Sequence, residues 1–135
     1  MAEMIDFAHK LGQGLGFRTC AFGHAGDGNL HPLILFDGRE PGTLERAEKL
    51  AGEILKMCVR FGGSITGEHG IGMEKRDYLP AMFGEADIEV MRAIRLQIDP
   101  HELSNQGKMF PTGEASMLTS HGPHPLETAG VISRE

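Results

Sequence analysis

Cysteine is scarce: two residues in 135, Cys20 and Cys58. Each stands in an apolar setting, so two buried thiols in a reducing cytoplasm are expected rather than a disulfide framework. Long apolar runs are missing as well. None approaches the roughly 20 residues that cross a bilayer, so no membrane span is expected. No charged-then-apolar leader opens the chain, and no secretory signal is expected. Positive charge is thin: 13 Lys and Arg against 19 Asp and Glu leave a net charge of −6. These basic residues are scattered and form no patch that would neutralise phosphates, which excludes nucleic acid as an expected partner. There is no internal repeat.

What is present is an ordinary soluble composition, 40% apolar and 24% charged. The length suits one domain with a real core and is too short for two. Glycine is abundant at 19 residues, mostly in or beside polar clusters. That distribution points to tight loops near something the backbone must approach.

The periodicities predict a helix over residues 1–16 through Met4, Phe7, Ala8, Leu11 and Leu15, weakened at its end by Gly12, Gly14 and Gly16. Residues 17–24 and 29–36 read as strands. Pro32 cannot donate to a ladder, so the second strand is an edge or carries a bulge. A helix over 43–61 follows, with Thr43 as its N-cap and Leu44, Ala47, Ala51, Ile54, Leu55, Cys58 and Phe61 as its apolar face. Gly62-Gly63 stops it. Residues 64–66 read as a short extended piece, 73–83 as short helical turns, and 85–98 as an amphipathic helix through Ile88, Met91, Ile94 and Ile98. From Pro111 the chain turns rich in Gly, Pro, Ser and Thr and reads as a mobile tail. The expected fold is α+β: a mostly antiparallel sheet with helices packed on one face over residues 1–110, then a flexible tail over 111–135.

Two polar clusters carry the chemistry. In "GHAGDGNLHP", Asp27-Gly28 between two strands is a hairpin signal for a type I′ turn. A turn there makes paired positions sum to 55, so His24 would face His31 directly, with Cβ atoms about 4.5–5.5 Å apart. Two imidazoles at that separation can aim one nitrogen each at a single metal ion. The plainer reading is a polar hairpin with two neutral, hydrogen-bonded histidines. In "TGEHGIG", Glu68 and His69 lie between Gly67 and Gly70, which permit a bend that brings both side chains into one cavity. A carboxylate could complete a site of two histidines and one glutamate with a position left open. The adjacent histidine, an imidazole, suits a proton acceptor. The plainer reading here is a solvated turn.

Taken in order, "FGHAGDGNLHPLILF", a helix, "GGSITGEHGIGMEKRDYL" and "IDPHELSNQGK" resemble the C-terminal domain of FAD-linked oxidases, the family of the glycolate oxidase flavin subunit and of D-lactate and D-2-hydroxyglutarate dehydrogenases. The resemblance covers roughly residues 1–110. It implies a ferredoxin-like cap half belonging to a longer enzyme, whose FAD-binding domain and part of whose cap sheet lie upstream. That enzyme oxidises a D-2-hydroxy acid of the glycolate or D-lactate type to the 2-oxo acid. The implied cofactors are FAD and a divalent metal, zinc foremost. The implied metal ligands are His24, His31 and Glu68, and the implied general base is His69. Near the chain's end the family has an Asp-Pro-x-x-Leu-Leu-Asn-Pro-Gly-Lys stretch close to the flavin. Here Ser104 and Gln106 replace a leucine and a proline, while Asn105 and Lys108 are kept as candidate flavin-side contacts. Lys75 and Arg76 could face an anionic substrate; a solvated face is the plainer reading.

Alone, the chain is expected neither to hold FAD tightly nor to turn over substrate. Surface that the missing parts would bury is expected to produce a homodimer or a distorted sheet edge. The implied partners are the 2-hydroxy-acid substrate and the FAD-binding domain or partner subunits. The implied location is the cytoplasm, peripheral at the inner membrane face. Two rival readings stay open: a metal-binding module without redox chemistry, and an assembly element with no activity of its own.

Overall fold

In a computed structural model of the protein, residues 1–111 are described. Helix α1 (Ala2–Gly14) leads into a hairpin of β1 (Arg18–His24) and β2 (Asn29–Leu35), then helix α2 (Thr43–Arg60). The single-turn α3 (Gly72–Lys75) runs into a 3-10 turn (Arg76–Ala81), and α4 (Glu85–Ile98) closes the order. The described architecture is α+β with one antiparallel pair of strands. Residues 64–66, expected as extended, form no strand among the described residues. The tail expected from 111 onward lies, apart from Pro111, outside the described residues.

The hairpin departs from the expected turn by two residues. Arg18 pairs with Leu35 and His24 with Asn29, so paired positions sum to 53 rather than 55. The loop is residues 25–28, closed by the Asp27 N–H donating to the His24 carbonyl at 3.0 Å. Gly28 takes φ +70°, but Asp27 does not take a positive φ, so the type I′ expectation fails. A type I′ turn needs positive φ at both central residues, a conformation that costs aspartate and spares glycine. The ladder is otherwise regular from end to end, and the expected edge distortion does not occur.

One face of the hairpin meets helices. Ala8 of α1, Phe17 before β1, and Ala47, Leu50 and Ile54 of α2 form a core, with Met4, Phe7, Leu11 and Ile34 against it. The opposite face, carrying Phe22, Leu33 and Leu35, is exposed. A second core joins Ile65, Leu79, Ile88 and Phe110, with Leu55 and Val59 of α2 beside it. Helix α2 therefore buries two sides of itself. Leu50, absent from the expected stripe, is fully buried, whereas Phe61, which the stripe included, is exposed. The cap also moves by one residue: Gly42 is the N-cap and Thr43 is the first helical residue. In α4, Ile88 and Met91 enter the second core but Ile94 and Ile98 stay exposed. Among the described residues, nothing covers the apolar side of its last turns.

Candidate metal centre

The two histidines reach the same face by parity. Side chains alternate along a strand with period two, so a register shift of two residues keeps every side chain on its face. His24 opposes Asn29, and Asn29 shares a face with His31, two residues on. The histidines are thus diagonal rather than directly opposed. Their long side chains close the gap, with ring centroids 5.7 Å apart. Phe22 is the direct partner of His31 and stacks on it at 5.0 Å and 28°.

After α2, the chain crosses back through residues 64–69 to the hairpin. The Cys58 thiol donates to the Ser64 carbonyl at 3.2 Å, and the Ile65 N–H points at the Met82 sulfur at 3.2 Å. Ile65 is buried in the second core, which anchors this crossing. Glu68 follows three residues later. Its Oε1 lies 3.1 Å from His31 Nε2, 3.8 Å from His24 Nε2 and 3.7 Å from His69 Nε2. His69 stacks on the far side of the cluster against His31, with centroids 5.2 Å apart. All four residues singled out in the two polar motifs therefore meet in one corner.

His24, His31 and Glu68 each offer one ligand atom, and these atoms lie within 4.8 Å of one another. Two donors each about 2.0–2.1 Å from a tetrahedral ion stand about 3.3–3.4 Å apart; the Glu68–His31 and Glu68–His24 separations of 3.1 and 3.8 Å bracket that value, and N,N,O is a donor set divalent cations take. Among the described residues, this is the one cluster of three or more His, Cys, Asp or Glu side chains with that geometry. His31 is 16% exposed at its side chain, whereas His24 and Glu68 are 60% and 50% exposed. One ligand is thus fixed in place and the corner stays open to solvent on the other side.

His31, Glu68 and His69 of the corner line an open groove of about 1240 Å³ between the hairpin, α2 and residues 63–78. Leu44, Ala51, Leu55 and Cys58 of α2 line it, as do Lys75 and Tyr78. Burial, chiefly, pushes the Tyr78 phenol above its ordinary value of 10.0, so it remains an O–H donor.

Other expected site residues fare differently. Arg76 does not face the groove. It is 9% exposed, and its Nη1 donates to the Gly107 carbonyl. Lys75 does line the groove. Asn105 and Lys108 are exposed on the loop after α4, with Lys108 Nζ 3.5 Å from Asn105 Oδ1, and neither is part of the groove lining. That loop is held by Asp99, whose carboxylate accepts the Leu103 and Ser104 N–H groups at 2.9 and 2.8 Å. The Ser104 N–H, then the Leu103 N–H, hold the Asp99 carboxyl below its ordinary value of 3.8. No described helix is long and apolar enough to cross a membrane.

Residues 1–109 match the family described as "FAD linked oxidases, C-terminal domain". Over 109 residues the chain is 50% identical to the glycolate oxidase subunit GlcD of Escherichia coli (strain K12), covering 81% of this chain and 22% of that protein. It is 43% identical over 90 residues to D-lactate dehydrogenase (cytochrome) 1, mitochondrial, of Saccharomyces cerevisiae, covering 67% of this chain and 15% of that protein. It is 41% identical over 105 residues to the D-2-hydroxyglutarate dehydrogenase of Xanthomonas citri pv. viticola, covering 73% and 21%. The chain thus spans about a fifth of the length of the relatives it matches.

Proposed function

The chain belongs to the family of C-terminal domains of FAD-linked oxidases, and from that premise we propose that it is the acid–base and metal-binding part of an enzyme oxidising a D-2-hydroxy acid of the glycolate or D-lactate type to the 2-oxo acid. The names of the relatives support the substrate class: glycolate, D-lactate and D-2-hydroxyglutarate all carry a hydroxyl beside a carboxylate. The observation that carries the reading is the convergence of three imidazole nitrogens within 3.8 Å of one Glu68 oxygen.

His24, His31 and Glu68 would hold a divalent cation, for which zinc suits the donors. Such a cation supplies Lewis-acid stabilisation of the substrate's oxygens. FAD, carried by the longer enzyme, supplies the hydride acceptor. His69 lies just outside the three-ligand cluster, with its Nε2 3.7 Å from Glu68 Oε1. Stacking on His31 fixes its ring plane, and its exposed nitrogen is placed to take the proton of a hydroxyl seated at the corner. Glu68 then lies close enough to stabilise the imidazolium that results.

The groove gives the substrate's side chain somewhere to go, and Tyr78 offers it a hydroxyl donor. Asn105 and Lys108, exposed on a loop outside the groove, are proposed contacts on the flavin side. The exposed Phe22, Leu33 and Leu35 are a proposed contact surface for the FAD-binding domain or a second copy. A cytoplasmic location, peripheral at the inner membrane face, completes the proposal.

The test is reconstitution with the separately produced FAD-binding portion of the Escherichia coli relative, reading dye reduction by glycolate and D-lactate. His69→Ala is expected to lower kcat by about 10²–10⁴-fold, the usual contribution of a positioned general base, at unchanged metal content. Full rate in that variant would overturn the role given to His69.

A further inference from the structure

Gly67 stands directly before Glu68. Unlike Gly70 and Gly72, with φ of +81° and +59°, it takes no positive φ. Backbone conformation therefore does not call for glycine at this position. Proximity does: a Cβ built on Gly67 would lie 2.5 Å from Asn29 Oδ1, 2.8 Å from its Cγ and 3.0 Å from its Nδ2. Asn29 is the cross-strand partner of His24 and precedes His31 by two residues. Both Asn29 and Gly67 line the groove.

We propose that Asn29 and Gly67 are a positioning pair: the bare backbone at 67 rests on the Asn29 side chain and sets how far Glu68 reaches toward His24 and His31. This deepens the metal-site reading above and rests on it. Ordinary contact begins at 3.4 Å, so a methyl at 67 and the Asn29 amide must part by about 0.9 Å, shared between a retreat of the backbone at 67 and a rotation of the amide. The share of that shift taken by the backbone draws Glu68 back from His31, lengthening the 3.1 Å approach that is the shortest in the corner. Asn29 and Gly67 touch no metal or substrate themselves; they act through Glu68.

The experiment is zinc calorimetry on the full 135-residue chain carrying Gly67→Ala, Asn29→Ala or both, with thermal melts of the metal-free proteins alongside. Gly67→Ala is expected to weaken zinc about 10- to 100-fold, the range for losing support of a ligand. Asn29→Ala removes all three clashing atoms, so adding Gly67→Ala to it should change affinity by no more than about twofold, the scatter of independent sites. A silent Gly67→Ala, or one equally damaging with and without the Asn29 amide, overturns the proposal. If Gly67→Ala alone fails to fold, Asn29→Ala and the double variant decide the matter: equal affinities support the pair, and a tenfold gap overturns it. Nuclear Overhauser contacts between the His31 ring and the Glu68 γ protons, read without metal, separate this claim from the metal reading. They should be equally strong in the wild type and the double variant and several-fold weaker in Gly67→Ala. That pattern in a chain that binds no zinc would leave the positioning pair standing and end the metal site.

Discussion

Glu68→Gln removes one negative charge from the corner where three imidazoles meet, and two readings of that corner forecast effects of very different size. If the corner only steadies the fold, Glu68 contributes what exposed ion pairs contribute, about 0.2–1 kcal/mol. The side chains of Glu68, His24 and His69 are 50%, 60% and 68% exposed, which places those pairs in that weak class, and His31, at 16%, sets the upper end of the range. If the corner holds zinc, the loss is larger. Structural zinc contributes about 10–16 kcal/mol over four ligands, so one ligand is worth about 3 kcal/mol, or about 10²-fold in affinity. The account predicts a zinc affinity at least about 100-fold weaker, with the chelator-treated protein losing no more than about 1 kcal/mol. Calorimetry with zinc reads the first quantity, and denaturant melts in chelator read the second. A drop beyond about 2 kcal/mol in the metal-free fold together with unchanged zinc affinity would refute the reasoning, because it exceeds what an exposed pair supplies.

Three further outcomes follow from the packing. Leu50→Ala empties a fully buried position between α1, α2 and the hairpin, and should cost about 2–5 kcal/mol in a denaturant melt. A cost under 1 kcal/mol would mean the first core is not built as described. Gly52→Ala should also destabilise, by about 1–3 kcal/mol, although alanine is the better helix former by about 1 kcal/mol. Its methyl would come 2.7 Å from Tyr78 Cζ, so a stabilised variant would contradict the packing of Tyr78 on α2. Asp99 has a folded-state pKa below its ordinary 3.8, so its contribution is complete above that value and is lost as pH falls through the lower folded one. Asp99→Asn should therefore lower stability at neutral pH and flatten the acid limb of the pH–stability curve below about pH 4, read by melts from pH 2 to 7. An acid limb identical to the wild type would remove Asp99 from the account.

The sequence made the corner legible for a reason that tolerates error. The expected register was off by two residues, yet His24 and His31 stayed on one face because the side-chain period is two. An error of one residue would have separated them. Glu68 and His69 were legible as a pair between glycines, and their return to the hairpin rests on Ile65 in the second core, a contact no local pattern shows. Periodicity showed that α2 has an apolar face but not which neighbours it meets. Two separate cores bury two sides of it, so a single stripe leaves out the buried Leu50 and takes in the exposed Phe61. Arg76 is the clearest miss. In the run Lys75-Arg76-Asp77 it reads as solvated, but its partner is the carbonyl of Gly107, 31 residues away. Asn29 is not legible as a site residue, because nothing local distinguishes a turn asparagine from one that meets a distant backbone.

The most direct measurement is X-ray absorption at the zinc edge on the full chain loaded with one equivalent of zinc, compared with His31→Ala. The account predicts two imidazole nitrogens and at least one carboxylate oxygen at about 2.0–2.2 Å, with one imidazole lost in the variant. A chain that takes up no zinc at neutral pH, or a shell that keeps both imidazoles without His31, would contradict it.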